Sequence, residues 1–316
     1  MVELVTVGDT SLRLSPRDNE RLETATDVRM YATGTESNVA VAASRFGTDA
    51  VWLSKLPETP LGRRVVSELH EHGIETQVDW SDDGRQGLTF YEPPCEPRER
   101  VRIDDRGSAA AATMTPGDLD MNLVQSASSV FVAGSTLALS ETAAETGAAV
   151  LRAGSSGEGV SALELDYRPE LWSPDAARET LTGVFDSVDV LFASEDDVRD
   201  VLDQSGQARE IAPTVAAEWG FQMVVLTRSE YGALVYHDGV IHDRDAIETE
   251  AVDETGQHDA FIGAFLATLL DGDGPDVALS NAVATAALAR TIPGPLATVD
   301  DDEVERLVDS IDQSGF

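Results

Sequence analysis

An α/β fold, a three-layer α/β/α sandwich with a mostly parallel central sheet and a small β lid, is predicted by three features of this 316-residue sequence. Short apolar runs bounded by turn residues alternate with segments of helical period, the pattern of parallel strands joined by covering helices. Glycines stand directly after several helical segments, where a left-handed residue closes a helix without a Cβ penalty. Two stretches break the alternation and read as excursions from the sheet, from about residue 12 to 31 and from about 85 to 106. Excursions of this kind are commonly covers over a site and not separate domains, so the whole of 1–316 reads as one domain.

In order, Val2 to Gly8 reads as the first strand, Ser37 to Phe46 as a helix closed by Gly47, Val51 to Ser54 as a second strand, and Leu61 to His72 as a helix closed by Gly73. Within the second excursion, Gly87 to Glu92 and Arg100 to Asp105 are strand-like and are separated by Pro93-Pro94-Cys95-Glu96-Pro97. Further strands read at Ser129 to Ala133, Val160 to Leu165, Val188 to Ala193 and Met223 to Thr227, with helices near Ser140 to Ala153, Asp175 to Val184 and Arg209 to Trp219. From Ala260 to Arg290, Ala, Leu and Val recur at helical spacing around a Gly-Asp-Gly-Pro break at 272–275, which gives two helices. A last helix opens at Asp300 or Asp301.

Composition narrows the function. Hydrophobic residues make up 42% of the chain, enough for one large core, and no apolar run reaches the 18 residues of a membrane span. The first residues lack the basic start and apolar stretch of a signal peptide, and a cytoplasmic location is expected. Cys95 is the only cysteine, which excludes an internal disulfide and a cysteine-based zinc site. Formal net charge is −36, from 58 acidic against 22 basic side chains, and Lys55 is the only lysine. Such a surface repels nucleic acid and anionic membranes. Acids spread along the whole chain read as adaptation to molar salt, which screens self-repulsion; an acidic interaction protein is the rival reading.

The most informative stretch is Val252 to Phe261, in which Gly256-Gln257-His258-Asp259 precedes an apolar helix read as Phe261 to Leu270. A glycine turn entering a helix gathers unpaired backbone N–H groups at the positive end of the dipole and suits a phosphoryl anion. Asp259 beside it can accept a proton from an attacking hydroxyl while the amides stabilise the phosphoryl oxygens. The plainer alternative is an N-cap aspartate that only satisfies the helix.

Several segments, in order over nearly the whole chain, resemble the ribokinase or PfkB carbohydrate kinase family. Thr33-Gly34-Thr35-Glu36-Ser37-Asn38-Val39-Ala40 followed by Arg45-Phe46-Gly47 looks like its first signature, and Asp253 to Phe261 like its second. Tyr167 to Trp172 and Arg290-Thr291-Ile292-Pro293-Gly294 look most like 2-keto-3-deoxygluconate kinases. The resemblance implies a ribokinase-like fold, Mg·ATP as phosphoryl donor, a primary hydroxyl of a sugar acid as acceptor, and a homodimer or higher homo-oligomer paired through the lid. It places Gly34 and Asn38 against the substrate hydroxyls, and Arg106 and Arg168 on its carboxylate or ordering the lid. Arginine suits that task because its planar fork pairs with a carboxylate. Thr227, Ser229 and Gly232 would lie at the nucleotide phosphates, Gly256 in the anion hole, Ala282 to Leu288 beside adenine, and Asp197 at magnesium. For those alanines a plain packed helix is the alternative, and for Arg106 and Arg168 a surface ion pair.

The departures are equally specific. His258 stands where the family has a second glycine, Gln257 replaces alanine, Glu254 replaces threonine, and Ser229 replaces the glycine of the nucleotide turn. Thr33 replaces a glycine, Asp104 stands where related chains tend to have tyrosine, and Ser194 and Asp197 end the segment associated with magnesium. Glu164 and Asp166 add carboxylates that would repel phosphate. A side chain at 258 is expected to narrow the hole and weaken catalysis, since glycine permits closer approach and wider φ. Two alternatives therefore stand beside the sugar-acid kinase: a degenerate paralogue that binds nucleotide or sugar acid without turnover, and a kinase for a different sugar.

Overall fold

The computed structural model describes residues 2–17, 19–157, 159–228 and 232–314. The chain begins with β1 (Leu4–Val7), β2 (Ser11–Pro16), β3 (Val28–Thr33), α1 (Thr35–Arg45), β4 (Ala50–Pro57), α2 (Pro60–Glu71), β5 (Glu75–Ser81), β6 (Leu88–Glu92) and β7 (Val101–Asp105). It continues with α3 (Met121–Ser126), β8 (Ser129–Ala133), α4 (Gly134–Leu137), α5 (Glu141–Ser156), β9 (Val160–Glu164), α6 (Pro174–Thr182), β10 (Val190–Ser194), α7 (Glu195–Leu202) and α8 (Ala208–Trp219). Then follow β11 (Met223–Thr227), β12 (Ala233–His237), β13 (Val240–Arg244), α9 (Gln257–Leu270), α10 (Pro275–Ala289) and α11 (Asp301–Ser314).

Nine of these strands form one sheet in the order β13-β12-β11-β10-β9-β8-β1-β4-β5. Pairing is parallel from β5 through β11, and β12 and β13 add an antiparallel edge. Both faces are covered, as near-continuous apolar strands require. Successive strand residues alternate between two cores: Val5, Val51, Leu53, Leu191 and Val224 pack against α5 to α8, while Leu4, Trp52, Phe192 and Val225 pack against α1, α2, α9 and α10. The result is the expected α/β/α layering.

A smaller sheet, β3-β2-β6-β7, packs Leu12, Ala32 and Leu88 onto this core. Its β2–β3 and β6–β7 pairs are antiparallel, and β2–β6 is parallel. Its strands fall on the two stretches that broke the sequence pattern. β8 and β11 coincide with the ranges read from sequence, whereas β5, the β12–β13 hairpin and α7 went unread. The hairpin turns through Asp238 and Gly239, both at positive φ (48° and 79°), a turn signal of the Asp-Gly kind. α9 starts four residues earlier than its apolar pattern, because Gly256, at φ 80°, caps it and the polar Gln257, His258 and Asp259 form its first turn. No helix among the described residues is long and apolar enough to cross a membrane.

Candidate active site

In a parallel sheet, ligands sit outside the carboxyl ends of the strands, where the strand order reverses, here beside the first strand. The polar side chains gather there. Asp9 follows β1, Ser135 follows β8, Glu164 ends β9 with Asp166 and Arg168 just beyond, Ser194 ends β10 and Thr227 ends β11. The N-termini of α1 and α9 face this edge.

Gly34 caps α1 and leaves no room for a side chain: a Cβ would lie 2.1 Å from the Asp9 carbonyl oxygen. One turn on, Asn38 Nδ2 donates to Asp259 Oδ2 at 2.6 Å. The contact depends on α1 and α9 packing closely, which Gly263 permits, since a Cβ there would meet Ala42 Cβ at 2.5 Å. Asp259 is the third residue of α9 and its carboxylate turns to Asn38, so it is not the N-cap; Gly256 holds that place. Gly256 itself could carry no side chain, as a Cβ would sit 1.9 Å from the Pro295 carbonyl oxygen.

Burial and the nearby Glu164 carboxylate push the Asp259 carboxyl up to about 7, against the pull of the Asn38 hydrogen bond. His258 Nε2 lies 2.8 Å from Glu164 Oε1. Burial alone would lower the imidazole, but Glu164 outweighs it, joined by Asp259 and Asp197, and His258 is lifted to about 9. His258 has helical geometry inside α9, where only Gly256 beside it takes positive φ, so the φ cost expected of a side chain here does not arise; the His258 side chain still lines both cavities. The two extra carboxylates are likewise neutralised in place: Glu164 pairs with His258, and Asp166 with Arg168 at 2.5 Å.

Two cavities meet at this turn. One, of about 320 Å³, is walled by Gly34, Ser11 and Thr35 on one side and by Arg100, Arg102, Arg106 and Arg168 on the other, with Tyr91 and Tyr167. Of the two arginines singled out in the sequence, Arg106 is buried and bound through Nε to Asp9 Oδ2 at 2.7 Å, and Arg168 keeps a buried Nε without a partner. Arg100 and Arg102 escaped notice; their spacing of two residues, Arg100 just before β7 and Arg102 on it, was the available signal. Asp104, two further on, accepts from Arg102 and from Thr89.

The second cavity, of about 500 Å³, reaches Thr227 and Gly232 at one end and an apolar wall of Ile247, Phe261, Val283 and Ala286 at the other. Ala282 and Ala284 face the core instead, so the alanine-rich α10 is both a packed helix and a cavity wall. Glu254, Gln257 and His258 line both cavities. Ser229 lies outside the described residues. Asp197 sits in the first turn of α7, whose N-cap Ser194 accepts its N–H at 2.9 Å, and burial lifts its carboxyl to about 6. Among the described residues no group of three or more His, Cys, Asp or Glu side chains could hold a metal ion alone.

A carboxylate that titrates near neutrality, beside free helix N–H groups and between a polar and a partly apolar cavity, suits proton removal coupled to group transfer from one cavity to the other. The description "pfkB family carbohydrate kinase" matches residues 1–302. A 2-dehydro-3-deoxygalactonokinase of Haloferax volcanii is 47% identical over 306 residues, 97% of this chain and 96% of its own. A 2-dehydro-3-deoxygluconokinase of Thermoproteus tenax is 31% identical over 300 residues, 93% and 90% of the two chains. The crystal structure of 2-dehydro-3-deoxygluconokinase from Thermotoga maritima superposes with a TM-score of 0.92 at 27% identity, covering 98% of each chain. The match runs from the first strand through the glycine turn to the start of the last helix, and the chain belongs to the pfkB family of carbohydrate kinases.

Proposed function

We propose that this kinase transfers the terminal phosphoryl group of Mg·ATP to a primary hydroxyl of a 2-keto-3-deoxy sugar acid, with 2-keto-3-deoxygluconate as the first candidate. The observation that carries the sugar-acid reading is the convergence of Arg100, Arg102, Arg106 and Arg168 on the cavity beside Asp259. In a chain of net charge −36, Arg102, Arg106 and Arg168 each face an aspartate (Asp104, Asp9 and Asp166) but keep further N–H donors, and Arg100 forms no ion pair among the described residues, which supports an anion site here. Arg168 Nε, buried and without a partner, is a donor left to pair with a carboxylate.

Asp259 removes the proton of the attacking hydroxyl, and Asn38 holds its carboxylate in line. The N–H groups from Gly256 to Asp259 cradle the phosphoryl oxygens at the start of α9, and the His258 imidazolium adds positive charge to the same point. Thr227 and Gly232 flank the nucleotide phosphates, and the Ile247, Phe261 and Val283 wall takes the base. Magnesium is commonly held by one or two carboxylates plus the substrate's own phosphates, and the Asp197 carboxylate fits that role. When bound, the ion neutralises charge on those phosphates. The β2-β3-β6-β7 sheet closes the sugar cavity from water, and its exposed Val28, Val101 and Ile103 favour pairing with a second copy of the chain.

The test is ADP release by purified protein in molar KCl with Mg·ATP and each of 2-keto-3-deoxygluconate, 2-keto-3-deoxygalactonate and sugars lacking the carboxylate. Turnover confined to the acids supports the proposal. Equal turnover with uncharged sugars would overturn it.

A further inference from the structure

β2 of the small sheet carries an arginine that reaches out of that sheet and into the glycine turn. Arg13 is only 2% exposed, and its NH2 nitrogen lies 2.7 Å from Asp253 Oδ2. Its guanidinium carbon lies 4.8 Å from the Tyr31 ring centre and 5.1 Å from that of Tyr91, so the flat cation is held between two aromatic faces. The placement follows from strand register: Tyr31 on β3 stands directly opposite Arg13, and Tyr91 on β6 shares its face.

Asp253 is tied in turn to both walls of the anion-binding turn. Its Oδ1 accepts the Thr255 N–H at 3.0 Å, and its Oδ2 accepts the Gly294 N–H at 3.1 Å. Thr255 precedes Gly256, the cap of α9, and Pro295 after Gly294 places its carbonyl oxygen against that same glycine. Gly294, at φ 101°, packs flat on the Tyr31 ring, where an added Cβ would meet ring atoms at 3.2 Å. Tyr91 also lines the sugar-side cavity. A continuous set of contacts therefore runs from that cavity through Tyr91, Arg13 and Asp253 to the backbone N–H groups of the phosphoryl site.

We propose that Arg13 is a positioning residue for phosphoryl transfer: clamped by Tyr31 and Tyr91, it fixes Asp253 and through it the anion-binding turn, so the small sheet and the phosphoryl site are set as one unit. Arg13 is not among the residues that line either cavity, so it acts through its neighbours. Its planar fork is what allows both the stacking and the two-nitrogen approach to Asp253, whose second contact is 3.4 Å. This rests on the kinase activity and not on which sugar is the acceptor.

The experiment is steady-state kinetics of the full chain with Mg·ATP and whichever acceptor the wild type phosphorylates, for Arg13→Gln, Arg13→Lys, Tyr31→Leu, Asp253→Asn and the Arg13→Gln/Asp253→Asn double variant. Near-UV circular dichroism at the assay temperature accompanies each. Failure of the sugar-acid assignment appears in the wild type, whereas failure of the clamp appears only in the variants. The expected result is a loss in kcat of about a hundredfold for Arg13→Gln with KM for ATP changed less than about threefold, since small misplacement of a catalytic turn costs that much. Arg13→Lys recovers part of it, Tyr31→Leu loses about tenfold, and the double variant is no worse than about threefold below Arg13→Gln, because both changes break one contact. Unchanged kcat in folded Arg13→Gln, a loss carried by KM alone, or additive losses in the double variant would overturn the proposal. If Arg13→Gln does not fold, Arg13→Lys and Tyr31→Leu decide it by the same split between kcat and KM.

Discussion

Asn38 Nδ2 lies 2.6 Å from Asp259 Oδ2, across two helices that start 222 residues apart in the chain. That bond fixes the carboxylate against the first turn of α9, and in the mechanism we propose Oδ1 is the oxygen that takes the proton.

Replacing Asp259 by Asn removes the proposed base but keeps the shape and the Asn38 neighbour. Turnover should fall by about 10²- to 10⁴-fold with nucleotide binding retained. Loss of ADP release with unchanged calorimetric titration of ATP supports the assignment; retained turnover would refute it.

Activity should follow a bell in pH. Asp259 must be ionised to act as base, so activity rises through about 7; His258 must be protonated to add charge at the phosphoryl site, so activity falls through about 9. A kcat/KM profile flat from about pH 6 to 10 would contradict both roles.

His258→Gly restores the residue the signature expects, yet the structure predicts a loss and not a gain. The change leaves Glu164 buried without its cation and strips a positive charge from the turn. A drop in kcat of about tenfold is expected, equivalent to ~1.4 kcal/mol in the transition state. Glu164→Gln should move the alkaline limb to lower pH, because Glu164 is what lifts His258. Faster turnover in His258→Gly would mark the histidine as an impairment.

Glu36 is buried in α1 and accepts the Ala133 N–H at 3.0 Å. Burial raises its carboxyl to about 8, so its contribution to stability is complete below the unfolded value near 4.5 and is lost as pH rises through 8. Glu36→Gln keeps the size and an acceptor oxygen. It should be more stable than the wild type at pH 9 by ~1–3 kcal/mol. Urea denaturation at pH 5 and pH 9 tests this, and an equal difference at both would be against it.

Thermal stability should climb with salt. Raising KCl from about 0.1 M to about 1 M shortens the screening length from about 10 Å to about 3 Å and relieves the repulsion of a chain at −36. Calorimetric Tm values independent of KCl would remove the molar-salt reading of the composition.

The parallel layering was legible because strands buried on both faces are short apolar runs, and β8 and β11 show it residue for residue. The edge strands β5 and β13 were not, because none of their residues is fully buried and most are polar, so Val78 and Trp80 in one and Val240 and Ile241 in the other make no apolar run. At the site, Gly34, Asn38, Gly256, His258, Arg106, Arg168 and Asp259 converge on one cavity or its wall. Thr227 and Gly232 reach the other.

What the sequence determined alone was the class, the two excursions, the glycine turn and the acid beside it, since each is written in local pattern and in backbone demands that only particular residues meet. Charge pairing was decided by tertiary structure. Glu164 and Asp166 read as repelling carboxylates until the fold set His258 and Arg168 against them, and Arg13 carried no signal within the first excursion until β3 and β6 enclosed it. The reason is physical: a side chain's charge state and reach depend on what lies within a few ångströms in space, and neighbours in space are not neighbours in sequence.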